Sequence, residues 1–330
     1  MIKQLISLEP TVMPWVLLII GFAALVKGAD FFVDGAASFA RKLGISAAIV
    51  GLTIVAMGTS APEAAVSITA GVQAKFFGVE GAADMAVGNI LGSNLFNLLF
   101  ILGICMMIKP IPTSTCSLKR DFPWAIGSTL LFIPMIMDGR LKLIEGLILV
   151  TLFVAYIGWM VYQSVKNRQV AEDETKLMPL WRSLVLLGVG LGMIILGGQF
   201  VVNSATAIAT EFGMDETLIG LTICAIGTSL PELVTSVVAS KKGESELAVG
   251  NVIGSNIFNL LFILGTTVTI SPIAVNADMM IDTIILLVVT ALVMLFSYTK
   301  MECNRKEGII IFLVYLGYTA YIIMRAYGIV

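Results

Sequence analysis

The sequence predicts an all-α polytopic membrane protein, with ten transmembrane helices arranged as two inverted five-helix repeats. Three observations predict it. Of 330 residues, 58% are hydrophobic and only 13% are charged, where a soluble globular chain carries about 25% charged residues. Apolar runs near the ~20 residues that span a bilayer core recur along the whole length. Two polar motifs, each embedded in such a run, occur twice.

The first helix is predicted over 12–40. Its apolar run begins at Thr11, and no small-x-small cleavage site closes a short apolar core, so it reads as a retained span rather than a removable signal. The second, 45–70, contains Gly58 to Glu63 as GTSAPE. Pro62 has no N–H and its ring crowds the carbonyl of Gly58, so this helix must bend or break there. The third, 84–107, repeats polar side chains every four residues at Asn89, Ser93 and Asn97, and Gly88 and Gly92 give it a small-residue face. Helices at 122–138 and 141–164 complete a first repeat, residues 1–164. The only strongly polar stretch, about Gln163 to Lys176, lies in a linker over 165–180.

The second repeat, 181–330, follows the same plan. Its first helix, 181–210, is long like 12–40, and both must tilt or extend beyond the hydrocarbon. The next, 215–240, carries GTSLPE with Pro231 acting on Gly227, and 246–270 repeats the polar stripe as Asn251, Ser255 and Asn259. Helices over 279–299 and 307–327 close the chain.

Self-comparison makes the duplication explicit. Residues 51–69 match 220–238 at eleven of nineteen positions, and 86–103 match 248–265 at fifteen of eighteen. The identities include Thr, Ser, Asn, Pro and Glu, which shared hydrophobicity does not produce. Five spans per half, an odd number, turn the second copy upside down relative to the first. Inverted repeats place a shared site at the midplane and let the two faces open alternately. Fourteen lysines and arginines, among them Arg41, Lys42, Lys119, Arg120, Lys241 and Lys242, fall on one side of this topology. Five (Lys3, Lys75, Arg140, Lys142 and Arg325) fall on the other. The positive-inside bias puts the linker in the cytoplasm and both termini outside the plasma (inner) membrane.

Composition excludes several classes. The chain has no histidine, which removes histidine-based zinc sites and imidazole proton relays. Cys105, Cys116, Cys224 and Cys303 lack paired spacing and read as membrane-buried thiols. There is no GxxxxGK[ST] phosphate loop, so transport draws on an ion gradient or runs downhill. The net charge of −2 points to no nucleic-acid partner. No enzyme activity, cofactor or obligate protein partner is implied; the partner is the lipid bilayer.

The motifs carry oxygen ligands. A proline-broken helix frees backbone carbonyls, which are tolerated at membrane depth only when buried in protein or lining a wet cavity. Glu63 and Glu232 supply charge with no basic residue in the motif helices, and an unpaired carboxylate at mid-bilayer costs on the order of several kcal/mol. Two carboxylates sum to −2, which one Ca²⁺ neutralises, and calcium takes six to eight oxygens. Thr59 and Ser60 lie beside Glu63, as Thr228 and Ser229 lie beside Glu232. The absence of soft ligands favours Na⁺ or Ca²⁺. The Ser and Asn stripes either join this site or knit helices together. Asp30 and Asp34, whose counterparts are Gln199 and Asn203, either line an approach path or pair with Lys27. Asp121 reads as an interfacial pair with Arg120.

GTSxPE and GSNxFN in duplicate resemble the alpha repeats of the cation/calcium exchanger superfamily, and the short chain is similar to its bacterial Na⁺/Ca²⁺ antiporters over nearly its whole length. The resemblance implies ten helices and an antiporter exchanging about three Na⁺ for one Ca²⁺ at a central calcium site flanked by sodium sites. By position it implies calcium held by Glu63 and Glu232 and by the carbonyls of Thr59 and Thr228. Sodium would use Ser60, Ser229, Ser93, Ser255, the same glutamates and threonines, and the carbonyls of Ala56 and Ala225. Asn97 and Asn259 match the polar positions of the central site; some family members carry an acid at one of these, and here both are asparagine. The same motifs serve a proton- or potassium-coupled calcium antiporter. A passive channel and an intramembrane protease fit them less well.

Overall fold

The computed structural model describes residues 12–79, 81–112, 117–166, 178–214 and 225–326. Helices dominate. In chain order they are α1 (Val12–Leu43), α2 (Ala47–Thr59), α3 (Ala61–Phe77), α4 (82–108), α5 (Phe122–Ile136), α6 (Leu143–Lys166), α7 (Leu180–Glu211), α8 (Ala225–Thr228), α9 (Leu230–Lys242), α10 (Ser245–Ile270), α11 (Ala277–Lys300) and α12 (Arg305–Ala326). Among the described residues seven helices are long and apolar enough to cross a membrane, and eight if the bent pair α2–α3 counts as one span. The linker core at 167–177 and the start of the expected helix at 215–224 lie outside the described residues.

The bend expected from Pro62 is present, and its position follows from proline chemistry. α2 and α3 meet at 52°, with the break at Ser60 rather than at Gly58. Pro62 then sits in the first turn of α3, where its missing N–H is one that a helix start leaves unbonded anyway. Pro231 occupies the same place in α9, after a break at Ser229.

α4 and α10 form the centre. In their apolar windows 78% and 94% of residues are buried, against 17% for α12 and 28% for α6, so the latter lie at the periphery facing lipid. The identical sequence FNLLFI widens into a π-helical turn in both central helices, at Phe96–Ile101 and Phe258–Ile263. Such turns recur at functional sites because they leave backbone and side chains off the regular helical register. Asn97 and Asn259 each occupy the second residue of that turn.

The central helices dock onto α2 through glycine. A Cβ on Gly250 would fall 2.6 Å from the Ala48 carbonyl oxygen, and one on Gly254 2.6 Å from Leu52 Cα. α1 and α7 pack antiparallel by the same means, at a seven-residue spacing the sequence reading missed. Gly21 faces Gly197, Gly28 faces Gly190, and Gly35 faces Ser183 and Leu187, with would-be Cβ contacts of 2.8–2.9 Å to backbone atoms. Only glycine permits backbones this close. α1 and α7 share a hydrophobic cluster with Val50 and Val55 of α2 and Val238 and Ala239 of α9. A second, larger cluster is built on α4 and α10.

Two short antiparallel strand pairs tie the copies together. β1 (Ile111–Pro112), after α4, pairs with β4 (Glu302–Cys303), before α12. β2 (Arg140–Leu141), before α6, pairs with β3 (Ile273–Ala274), after α10. Each pair takes the strand after one copy's central helix and joins it to the strand before the other copy's last helix. Two-residue strands have no periodicity to read, so the sequence did not announce them. Cys105 and Cys303 are buried, as expected; Cys116 and Cys224 lie outside the described residues.

Candidate ion site

Glu63 and Glu232 are fully buried, each in the first turn of a helix that starts just after a break. Placing a carboxylate there sets it against the positive end of the helix dipole. The two copies exchange hydrogen bonds across the centre. Ser229 Oγ donates to Glu63 Oε1 at 2.9 Å, and Ser60 Oγ donates to Glu232 Oε1 at 2.7 Å. Ser93 lies 3.4 Å from Glu63 Oε1 and 3.0 Å from Ser229 Oγ. No lysine or arginine among the described residues pairs with either glutamate.

The break decides how the motif side chains meet. Thr59 and Glu63, four apart, stand on opposite sides of it, Thr59 ending α2 and Glu63 opening α3. Thr59 Oγ1 lies 3.1 Å from Val55 O and 3.0 Å from Asn251 Oδ1. The Ala56 carbonyl accepts the Ser60 N–H at 3.0 Å. Ala225 and Thr228 bound α8, the equivalent short turn.

Among the described residues, six buried oxygens of the expected ligand set have no hydrogen-bond partner: Oε2 of Glu63 and of Glu232, Oδ1 of Asn97 and of Asn259, Oγ of Ser255 and Oγ1 of Thr228. Tyr156, Ser183 and Thr235 also hold an unpartnered oxygen, but none of them belongs to the motifs. A buried acceptor without a donor costs about 1–3 kcal/mol. Four of the six form matched pairs between the copies. A cluster of anionic and neutral oxygens is what a hard cation requires.

The asparagines sort into two layers. Asn89 donates to Ser67 Oγ at 3.0 Å, and Asn251 to Ser236 Oγ at 2.9 Å, the same bond in each copy, holding the helix of the stripe to the helix of the glutamate. Asn94 and Asn256, which the four-residue stripe of Asn89, Ser93 and Asn97 passes over, lie between α4 and α10 and bond to Asn259 and Asn97. Their signal was the repeated GSN, where the Asn sits one residue past the stripe. The copies also differ: Ser93 bridges Glu63, Ser229 and Asn259, whereas the hydroxyl of its counterpart Ser255 has no partner among the described residues.

Asp30 and Asp34 have a stronger partner than Lys27. Lys242 Nζ, at the end of α9, lies 2.8 Å from Asp34 Oδ1, 3.4 Å from Asp30 Oδ1 and 3.1 Å from the Asp30 carbonyl. Lys27 is 3.7 Å from Asp30. Arg41 reaches Glu244 at 2.9 Å. α1 is thus clamped to the tail of α9. Arg120 and Asp121 form a buried pair.

Comparison with known proteins places the chain. The family described as sodium/calcium exchanger protein matches residues 13–162 and 182–324. A putative antiporter, CaxA of Alkalimonas amylolytica, is 41% identical over 92% of this chain and 96% of its own. The inner membrane protein YrbG of Escherichia coli K12 is 36% identical over 78% of this chain and 79% of its own. The sodium/calcium exchanger MaX1 of Methanosarcina acetivorans is 30% identical over 92% and 97%. Among solved structures, the sodium-calcium exchanger NCX_Mj superposes with a TM-score of 0.82 at 28% identity, covering 94% of this chain and 98% of that one. With both halves matched and the alignments running nearly end to end, this integral membrane chain belongs to the sodium/calcium exchanger protein family, a family of transporters rather than enzymes.

Proposed function

We propose that this protein exchanges Ca²⁺ for Na⁺ by alternating access at a site built on Glu63 and Glu232, within ten spans arranged as two inverted halves with both termini outside the cell. The observation that carries the reading is the reciprocal pair Ser229–Glu63 and Ser60–Glu232. Equivalent residues of the two copies meet at one point and leave one oxygen of each carboxylate unpartnered. The crossed pairing of β1 with β4 and β2 with β3 supports the same pseudo-twofold relation.

Exchange follows from charge. Two bare carboxylates in a buried site cost several kcal/mol or more in lost hydration. One Ca²⁺ or a set of Na⁺ removes that cost, and neither does so while the other is bound. The transition between faces then proceeds only with the site filled, which couples the two fluxes. Thr59, Thr228, Ser60, Ser229, Ser93, Ser255, Asn97, Asn259 and the carbonyls of Ala56 and Ala225 complete the ligand set in this reading.

The gate is α1 with α7, held as one body by their glycine contacts. α9, which lines the cytoplasmic half of the path in this topology, is sealed beneath α1: Thr235 is fully buried, whereas its counterpart Val66 on α3 is 51% exposed. That asymmetry supports a conformation closed toward the cytoplasm and open outward.

The test is Ca²⁺ uptake into proteoliposomes with Na⁺, K⁺ and H⁺ gradients imposed one at a time. Uptake driven by Na⁺ alone is expected. Uptake indifferent to Na⁺ but driven by H⁺ or K⁺ transfers the coupling to that ion, and uptake without any counter-ion gradient makes the protein a channel.

A further inference from the structure

Four asparagines meet where α4 and α10 cross. Asn94 Nδ2 donates to the backbone carbonyl of Asn256 at 3.2 Å, and Asn256 Nδ2 donates to that of Asn94 at 3.1 Å. A backbone carbonyl only accepts, so both amides must turn their nitrogens toward the backbone and their oxygens away. Those oxygens take the next bonds. Asn259 Nδ2 donates to Asn94 Oδ1 at 3.0 Å, and Asn97 Nδ2 donates to Asn256 Oδ1 at 3.1 Å. With their nitrogens committed, Asn97 and Asn259 have one orientation left. Their Oδ1 atoms are the ones that lack a donor.

We propose that Asn94 and Asn256 are positioning residues that lock Asn259 and Asn97, each in the opposite copy, with their oxygens available to the transported cation. An amide is ambiguous by itself, since a half-turn exchanges a cation ligand for a cation-repelling NH₂. Here the half-turn would set oxygen against oxygen at Asn94 or Asn256 and forfeit the bond. The backbone carbonyls therefore dictate ligand polarity two hydrogen bonds away, and no reorganisation is needed when the ion arrives. Ser93 adds a second acceptor for Asn259 at 3.3 Å, which ties this lock to the Glu63–Ser229 pair. The inference rests on reading the site as an ion site.

The experiment is Ca²⁺ binding by calorimetry on the purified full-length protein, together with its thermal stability. Asn94→Ala and Asn256→Ala should each weaken Ca²⁺ binding about tenfold, the size of one lost hydrogen bond. The couplings should follow the cross-pairs. Asn94→Ala adds little in an Asn259→Ala background but multiplies with Asn97→Ala. Asn259→Asp should gain more affinity in the Asn94→Ala background than alone, because a carboxylate offers oxygen on either edge. Asn94→Leu covers an alanine variant that does not fold. It fills the same volume with neither donor nor acceptor and should weaken Ca²⁺ binding by about the same tenfold. Losses that fall on stability while Ca²⁺ affinity holds, losses that multiply equally with both partners, or an unchanged affinity in Asn94→Leu would each overturn the lock. If Asn97→Ala and Asn259→Ala leave Ca²⁺ binding intact, the ion-site reading itself is wrong. If they weaken it while Asn94→Ala and Asn256→Ala do not, only the lock fails.

Discussion

Ser229 and Glu63, 166 residues apart in the chain, stand 2.9 Å from each other at the centre of the molecule. Ser60 stands in the same relation to Glu232 at 2.7 Å. Each acid is thus oriented by the other copy's serine, so neither half alone completes the proposed site. Movement of one half against the other must alter both carboxylates together, which is the coupling an exchanger needs.

Glu63→Gln and Glu232→Gln should each abolish Ca²⁺ exchange, by more than about 100-fold, while the protein still folds, since an amide keeps the shape but halves the site's charge. Asp30→Asn, whose carboxylate pairs with Lys242 and Lys27, should only modulate the rate. Proteoliposome flux against thermal melting separates loss of function from loss of fold. Robust exchange in both glutamate variants would locate the site elsewhere.

Ser60→Ala and Ser229→Ala should differ. Glu232 accepts from the Ser60 hydroxyl, whereas Glu63 keeps Ser93 at 3.4 Å when Ser229 is gone. A hydrogen bond to a charged group contributes about 1.5–3 kcal/mol, so Ser60→Ala should raise the Na⁺ concentration for half-maximal exchange about tenfold or more. Ser229→Ala should raise it less. Equal effects in a Na⁺ titration would remove Ser93 from the account.

Gly28→Val and Gly190→Val force a branched side chain into a helix contact where even a Cβ meets backbone at 2.8 and 2.6 Å. Overpacking of this kind costs about 1–3 kcal/mol, and exchange should slow as α1 and α7 separate. Gly188→Ala, two residues away with open space around it, is the control and should be silent. Melting temperature and turnover measured side by side decide it.

Lys242→Gln loosens α1 from the end of α9 without touching the site, leaving only the Arg41–Glu244 pair of the clamp. Exposed ion pairs are each worth about 0–1 kcal/mol, and Lys242 serves two acids, so the population closed toward the cytoplasm should fall several-fold. A cysteine at Val238, 9% exposed under α1, should then label faster with a membrane-impermeant maleimide from the cytoplasmic face. High salt should do the same to the native chain. Unchanged labelling under both conditions would make the clamp ornamental.

Membrane insertion, the order of the helices, the breaks before Glu63 and Glu232 and the duplication were all legible in the sequence. Each depends on a contiguous stretch: hydropathy on about twenty residues, a break on one proline, a repeat on aligned segments. The twelve candidate site residues rest on the same kind of contiguous signal: ten are polar members of the repeated motifs, and Ala56 and Ala225 follow by position in them. Four things were not: the partner of each glutamate, the Asn94–Asn256 lock, the seating of Lys242 on Asp30 and Asp34, and the facing of Gly21, Gly28 and Gly35 onto α7. Those contacts join residues about 150 or more positions apart, and they depend on which face of one helix turns toward which face of another. Local propensity does not encode that facing. It is settled only when the glycine contacts, the π-helical turns and the buried hydrogen bonds are satisfied at once, and only the folded bundle does that.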